Sequence, residues 1–427
     1  MLSIDLIRRN PDLVREGLTR RSEDSSIIDL ILEKDEAWRQ LVYQVDELRK
    51  QIKEDSKAIG VMIRKDPISA DQKREEVRIL GNQLQSIENQ TREREEELRI
   101  LMLNLPNLPA NDVPVGSDES NNVVLREEGV RRNFDFIPRP HWELAENLGI
   151  VDLDRGAKLS GSRFYVFLEM GARLQRALIT WMLDLHRDKH GYKELGLPYL
   201  VRQDVMEGSG NLPKFAENLY HDVEDDLWLI PTAEVPITNL HRDEILDAKD
   251  LPLLYMAHTP CFRREKAAAG RDTRGIKRVH QFDKVEMYQF VAPEESEASL
   301  ELIRNHAEDV CRGLQIPYRV LQLCTGDMGF PSAKSYDLEM WAPGSEEWLE
   351  VSSSSNCTDF QARRANIRFR SEPKSRPQFV HTLNASGLAL PRVIIAILEN
   401  FQNSDGSVDI PQVLHPYIGI EQINPVT

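Results

Sequence analysis

The chain has 427 residues, 41% of them hydrophobic and 29% charged, an ordinary globular composition that excludes wholesale disorder and predicts two to four domains at ~100–200 residues each. The longest aliphatic run of the C-terminal third covers only 393–398, far short of the ~18 residues that span a bilayer. With 54 Lys and Arg against 70 Asp and Glu the formal net charge is −16, so any nucleic acid must be met by a local basic patch and not by the surface at large.

The opening Met1-Leu2-Ser3-Ile4-Asp5 puts an acid where a secretory signal carries basic residues and an apolar core, so a cytoplasmic protein is expected. Apolar residues then recur at alternating spacings of three and four: Ile27, Ile31, Trp38, Leu41, Val45, Leu48, Ile52 and Ile59, interrupted only by Lys34 and Asp55. A second such stretch runs Val77, Leu80, Leu84, Ile87, Leu98, Leu101 and Leu105, interrupted by Thr91 and Arg94. Sustained spacing of this kind predicts a coiled-coil seam. Gly60 and Pro67 stand between the two stretches as the expected breakers, so the reading is an antiparallel helical hairpin. Residues 27–59 give an arm of about 50 Å at ~1.5 Å per residue.

Charge is distributed unevenly along this arm. Residues 49–78 carry nine basic side chains (Arg49, Lys50, Lys53, Lys57, Arg64, Lys65, Lys73, Arg74, Arg78) against six acidic ones. A basic excess on an acidic chain fits phosphate contact; the competing reading is a spacer or dimerisation hairpin with a solvated, mixed-charge face. The stretch 104–122, with Pro106, Pro109, Pro114 and Gly116, reads as a linker. Beyond it helical spacing at 174–186 mixes with strand-like alternation at 279–290, which predicts an α+β domain on a mostly antiparallel sheet flanked by helices. The expected organisation is thus 1–105 with the coiled-coil arm, 106–122 as linker and 123–427 as the domain that carries the chemistry.

Several familiar sites are absent. Residues 270–277 look like a phosphate-binding loop but lack Lys and Ser or Thr directly after the second Gly. Cys261, Cys311, Cys324 and Cys357 form no CxxC pair and no zinc spacing, so reduced thiols are expected. The densest polar block, 261–286, reads as strand, Gly/Ala/Arg loop and strand. Period two in the second strand puts Arg278, His280, Phe282, Lys284, Glu286 and Tyr288 on one face. Cations, an aromatic ring and a carboxylate on one face suit a nucleotide plus an amine; a surface hairpin with ion pairs is the competing reading. Two further polar clusters follow apolar residues, Pro231-Thr232-Ala233-Glu234 and Glu350-Val351-Ser352-Ser353-Ser354-Ser355-Asn356. A carboxylate among hydroxyls suits Mg²⁺ shared with substrate phosphates, unless the second cluster is only a Ser-rich loop.

Together Thr232-Ala233-Glu234, 262–286, Asp337-Leu338-Glu339, 350–364 and 383–402 resemble motifs of the seryl-tRNA synthetase family of class II aminoacyl-tRNA synthetases, of the common bacterial type. The helix-to-strand stretch 174–198 resembles the motif of the dimer interface. The resemblance implies a homodimer that uses ATP and Mg²⁺ to load L-serine on tRNA(Ser), and tRNA(Sec) as well. It implies that Arg263 bridges the serine carboxylate and the α-phosphate, and that Arg392 covers the adenine and reaches the γ-phosphate. It assigns the serine pocket to Thr232, Ala233, Glu234, Glu286 and Ser386. The ATP site falls to Arg263, Arg264, Glu265, Val279, Phe282, Glu350, Val351, Ser352, Ser353 and Arg392, with Glu350 and Ser353 as Mg²⁺ ligands. The arm residues Lys50, Lys53, Lys57, Arg64, Lys73 and Arg74 are expected to meet tRNA.

The pattern is not followed everywhere. Ala385 and Pro391 stand where Gly is usual, and Ser354 where Cys is usual. Pro inside a helix costs ~3 kcal/mol unless it lies in the first turn, so the helix bearing Arg392 is expected to begin close to Pro391. A catalytically silent tRNA-binding paralogue would be favoured by loss of Arg263, Glu286, Glu350 or Arg392, and all four are present. A ligase that loads carrier proteins would lack the long arm.

Overall fold

The computed structural model describes residues 1–64, 66–266 and 274–426. Lys65 of the basic count and the 267–273 part of the expected loop lie outside them. The chain forms two compact units, one of residues 2–19 and 23–105, the other of Met1, 20–22 and 106–427.

The smaller unit is all helical: α1 (Ile4–Arg9), α2 (Pro11–Arg20), α3 (Ile27–Met62) and α4 (Pro67–Leu103). The seam reading holds. The apolar seam positions of α3 and α4 are all buried or half-buried, and the two charged interruptions are answered across the hairpin. Lys34 meets Glu97 at 3.4 Å and Asp55 meets Lys73 at 3.1 Å, so neither charge faces the seam uncompensated. Gly60 does not break the helix. It lies inside the 36-residue α3, about 54 Å long at 1.5 Å per residue. One exposed Gly costs only ~1 kcal/mol, too little to end a helix zipped along its whole length. The turn comes after Met62 instead. There Asp66 caps α4 by accepting the Ser69 N–H at 3.2 Å, and Pro67 opens the helix.

The larger unit is built on an eight-stranded sheet. In chain order its strands are β1 (Val123–Glu128), β2 (Lys193–Glu194), β3 (Leu253–Phe262), β4 (Gln281–Val291), β5 (Tyr318–Gln322), β6 (Lys334–Ala342), β7 (Glu347–Thr358) and β8 (His381–Ala389). They lie side by side as β1-β5-β6-β7-β8-β4-β3-β2. Every pairing is antiparallel except that of the short edge strand β2 with β3, as the sequence predicts. The helices α5 (His141–Asn147), α6 (Glu169–Asp188), α7 (Glu234–Thr238), α8 (Ser296–Leu314), α9 (Phe360–Ala365) and α10 (Leu390–Asn400) complete the parts that matter here. α6 extends the helical spacing of 174–186 at both ends, and α10 has Pro391 in its first turn, as expected. The proline-rich stretch 106–122 belongs to this unit; the buried Asn107 amide donates to the carbonyls of Pro331 and Cys357, each at 2.9 Å.

Two register shifts in the sheet govern the site. Between β6 and β7, Leu338 faces Ser352 but Glu339 faces Glu350, so Val351 is an extra residue. Between β4 and β8, Glu286 faces Ser386 but Lys284 faces Ala389, and Leu388 in the shifted stretch has φ +106°. A bulge breaks the alternation of period two. Glu350 and Ser353, three residues apart, thereby come to one side of the sheet, and so do Ser386 and Ala389.

Candidate active site

The middle of the sheet opens into two adjoining cavities of about 470 and 250 Å³. Arg263, Glu265, Arg278, Lys284, Glu350 and Ser386 line both and form the wall between them. Thr232, Glu234, Glu286, Ser353 and Asn384 belong to the first cavity only, and Val279, Phe282, Val351 and Arg392 to the second.

In the first cavity two carboxylates are each held through one oxygen. Glu286, on β4, is 1% exposed; its Oε2 accepts the Thr232 hydroxyl at 2.8 Å and pairs with the Lys284 ammonium. Thr232 and Ala233 form the turn that leads into α7, and Glu234 is that helix's first residue. Glu234 Oε1 accepts amide protons from Gln361 at 2.6 Å and from Asn384 at 3.1 Å. The Gln361 amide is itself fixed, since its oxygen accepts the hydroxyls of Tyr288 at 2.9 Å and Thr382 at 2.7 Å. Burial, reinforced by the neighbouring Glu286, pushes the Glu234 carboxyl up to about 7. Two anionic groups close together in a desolvated pocket favour a bound cation.

In the second cavity Phe282 is the one aromatic wall, and the Arg263 guanidinium lies 5.2 Å over its ring centroid. Arg263 follows β3; its Nε donates to the Pro231 carbonyl at 3.3 Å and its backbone N–H to His280 at 2.9 Å. Glu265 adopts a left-handed backbone (φ +49°) and accepts from Arg278 at 3.1 Å. Arg392 leaves the first turn of α10 and donates to the Glu350 carbonyl at 2.7 Å and carboxylate at 2.9 Å. That guanidinium holds the Glu350 carboxyl below its ordinary value. Burial and Glu350 push the neighbouring Asp337 the other way, and its Oδ1 is buried without a hydrogen-bond partner. Ser353 stands opposite Asp337 across β6 and β7.

The expected residues thus converge, with qualifications. β4 begins at Gln281, so the face of period two comprises Phe282, Lys284, Glu286 and Tyr288. Arg278 and His280 precede the strand: Arg278 reaches the cavities from that turn, while His280 Nδ1 contacts the Arg263 carbonyl at 3.0 Å. Ala233, Arg264 and Ser352 are not among the cavity-lining residues. Ala233 is fully buried, Arg264 rests 5.2 Å over the Tyr220 ring, and the Ser352 hydroxyl donates to the Ser386 carbonyl at 2.5 Å. Asp337, Gln361 and Asn384 fall in the stretches that carry the family resemblance, but no role was legible for them, because their roles rest on contacts with chain segments far away. Lys284 was legible as a face residue but not as the partner of Glu286.

The departures from pattern are locally compatible. Ser354 and Ala385 are direct partners across β7 and β8, so a slightly smaller side chain than Cys faces one slightly larger than Gly. In the arm, Lys50, Lys53 and Lys57 are exposed along one stripe of α3, Arg64 is exposed in the turn that follows it, and the four have no ion-pair partner among the described residues. Lys73 pairs with Asp55 and with Glu76, and Arg74 with Asp71. Among the described residues no group of three or more His, Cys, Asp or Glu is arranged to hold a metal, and no helix is long and apolar enough to cross a membrane.

An antiparallel sheet with an arginine at the end of one strand, a carboxylate on a bulged central strand and a second arginine heading the last helix is the build of a class II aminoacyl-tRNA synthetase core, and residues 215–401 match the model of the class II core domain of tRNA synthetases (G, H, P, S and T). Residues 1–109 match the seryl-tRNA synthetase N-terminal domain. The serine–tRNA ligase of Thermomicrobium roseum is 57% identical over 426 residues, covering 99% of this chain and 94% of that one. That of Roseiflexus sp. is 57% identical over 419 residues, covering 98% of each. The crystal structure of seryl-tRNA synthetase from Pyrococcus horikoshii complexed with ATP superposes with a TM-score of 0.92 at 42% identity, over 100% of both chains. The cytoplasmic enzyme of Naegleria fowleri in complex with AMP gives 0.87 at 28% identity, over 100% of this chain and 99% of that one. The chain belongs to the seryl-tRNA synthetase family.

Proposed function

We propose that this chain activates L-serine with ATP and then esterifies the 3′ end of tRNA(Ser) with it, as a serine–tRNA ligase. The observation that carries the reading is the divided cavity: paired carboxylates on one side, an aromatic wall and Arg392 on the other, and Arg263 between them. In the first step a serine carboxylate oxygen attacks the α-phosphorus of ATP. The bond to the bridging oxygen breaks, and pyrophosphate leaves with the electron pair. The protein supplies orientation and charge. Arg263 spans serine carboxylate and α-phosphate, a bidentate task that suits a planar guanidinium.

Glu234 and Glu286 receive the serine ammonium, and Glu286 with Thr232 and Ser386 receives the hydroxyl. A site built to hydrogen-bond a hydroxyl can reject the analogue lacking it by ~10⁴. Phe282 and Val279 flank the adenine, Glu265 reads its edge, and Arg392 covers the other face and reaches the γ-phosphate. Arg264, Val351, Ser352 and Ala233 complete these pockets, Ala233 and Ser352 through the backbone. Glu350 and Ser353 offer only oxygen donors, beside a buried Asp337 oxygen that lacks a partner, which fits Mg²⁺ completed by substrate phosphates. Such an ion would neutralise phosphate charge. In the second step a hydroxyl of the terminal adenosine attacks the seryl carbonyl carbon and AMP departs.

Residues 1–105 form the tRNA-binding part, with Lys50, Lys53, Lys57, Arg64, Lys73 and Arg74 on the phosphates; 106–122 joins it to the catalytic domain, 123–427. tRNA(Sec) is a second acceptor by family resemblance, as are the homodimeric state and cytoplasmic location. Pyrophosphate exchange with each of the twenty amino acids tests the reading. Strong exchange with serine and near-background exchange with alanine and glycine are expected. Equal exchange with alanine overturns the pocket, and no exchange at all leaves a silent tRNA-binding paralogue.

A further inference from the structure

The nucleotide compartment draws its walls from two separate pieces of chain. Lys277, Arg278 and Val279 come from the segment just before β4, and Arg392 comes from α10. The connection is made further back, through two buried residues outside both cavities, His141 at the start of α5 and Glu399 near the end of α10.

Glu399 is fully buried and lies seven residues beyond Arg392, two turns along the same face of α10. Its carboxylate collects five donors. Oε1 accepts the His141 backbone N–H at 2.9 Å, His141 Nδ1 at 3.2 Å and the Ser345 hydroxyl at 2.8 Å. Oε2 accepts the N–H groups of Gly344 and Ser345, both at 2.9 Å. An acceptor-only carboxylate so surrounded requires the His141 proton on Nδ1. That leaves Nε2 as a lone pair, and it faces the Ile276 backbone N–H at 3.4 Å. Ile276 precedes Lys277 directly. The fit around Nε2 is close: a Cβ on Gly275, whose φ is +68°, would come within 2.1 Å of it. Next door Arg274 stacks 4.4 Å over the ring of Trp142, a second tie between α5 and the same segment.

We propose that His141 is a positioning residue for nucleotide binding: its two ring nitrogens tie α10, through Glu399, to the segment 274–279, and so hold Arg392 and the Lys277, Arg278 and Val279 wall at a fixed separation. His141 touches no substrate. It acts through Ile276 on one side and Glu399 on the other, and small misplacements of binding groups are costly in a site that works by orientation. The groups that receive serine, Thr232, Glu234 and Glu286, lie outside the tied segment, of which only Arg278 also lines the serine cavity. The inference rests on the nucleotide assignment made above.

Serine-dependent pyrophosphate exchange by the full chain, with KM for ATP and for serine measured separately, tests it. H141N keeps a donor for Glu399 but offers Ile276 no acceptor. Its ATP KM should rise about tenfold, the scale of one lost hydrogen bond, with the serine KM within twofold of wild type. G275A attacks the same contact from the other side, leaves the four donors of Glu399 other than the His141 ring in place, and should give the same signature; it keeps the test valid even if H141N folds poorly. The double variant should be no worse in ATP KM than the poorer single one, because both remove one contact. Equal rises in the two KM values, an unchanged ATP KM in G275A, or effects that multiply in the double variant would overturn the proposal. Absence of serine-dependent exchange in the wild type would instead remove the nucleotide assignment beneath it.

Discussion

The Glu234 carboxyl is the acid of the serine pocket that burial shifts most towards neutrality, and this makes it the most informative single site to perturb. Burial and Glu286 raise its carboxyl from 4.5 to about 7, so in the ligand-free protein only about one-tenth is ionised at pH 6. Serine keeps its ammonium across this range and needs the anion. The kcat/KM for serine should therefore climb about fivefold between pH 6 and pH 7, about twofold more by pH 8, and level off above that. E234Q keeps the shape and can still accept the proton of Gln361 or Asn384, but it cannot ionise. In that variant the pH slope should vanish and the serine KM should rise about 10- to 100-fold, the worth of a hydrogen bond to a charged group. Stability should move the other way. An acid whose folded pKa is raised disfavours folding once pH exceeds its unfolded value, and the penalty grows until the folded value is passed. Between pH 4.5 and 7 the ligand-free wild type should lose stability that E234Q keeps, by up to about 3 kcal/mol from that shift and less after screening by water reaching the half-buried group. The assays are pyrophosphate exchange from pH 5.5 to 8.5 and thermal melts without ligands. A variant with the wild-type pH slope, or with a serine KM within threefold of wild type, would refute the assignment of Glu234 to the ammonium.

R263A should lower kcat of exchange by ~10²–10³, as removal of one transition-state donor does elsewhere, with ATP binding still measurable by calorimetry; near wild-type exchange would move the chemistry off the wall between the cavities. Replacing Lys50, Lys53, Lys57 and Arg64 together by Gln should weaken tRNA charging and flatten its salt dependence by ~0.7–0.9 per lost phosphate contact, while exchange, which involves no tRNA, continues; unchanged charging would return the arm to a spacer or dimer element. Ser354 presents a fully buried hydroxyl with no partner, so S354A should raise stability by about 1 kcal/mol in denaturant titration, and a clear loss would mean that the hydroxyl is satisfied in solution. E350Q should raise the Mg²⁺ concentration needed for half-maximal exchange, since a neutral amide is a poorer ligand for a hard cation; an unaltered requirement would place the ion elsewhere.

Local pattern determined a large part of this protein. The spacing of three and four marks both arm helices, because a helix that buries one stripe must repeat its apolar residues at its own period. Pro391 was legible as a helix start, because a proline without an N–H is tolerated only in the first turn. The identities of Arg263, Glu286, Glu350 and Arg392 name their chemistry, because a planar cation and a carboxylate do the same things wherever they stand.

Tertiary structure decided what period and identity leave open. Gly60 looks like a breaker in the sequence, but packing of α3 against α4 outweighs its propensity. Val351 and the stretch around Leu388 are unremarkable residues, yet the bulges there turn Glu350 and Ser353, and Ser386 and Ala389, to common sides. A one-residue shift reverses every side chain beyond it, and it is set by pairing with a neighbouring strand. The hold on Glu234 comes from Gln361 and Asn384, 127 and 150 residues away, and His141 meets Glu399 across 258. Such contacts carry no local signal, because they exist only once burial has removed water as the alternative partner and each polar group must find another.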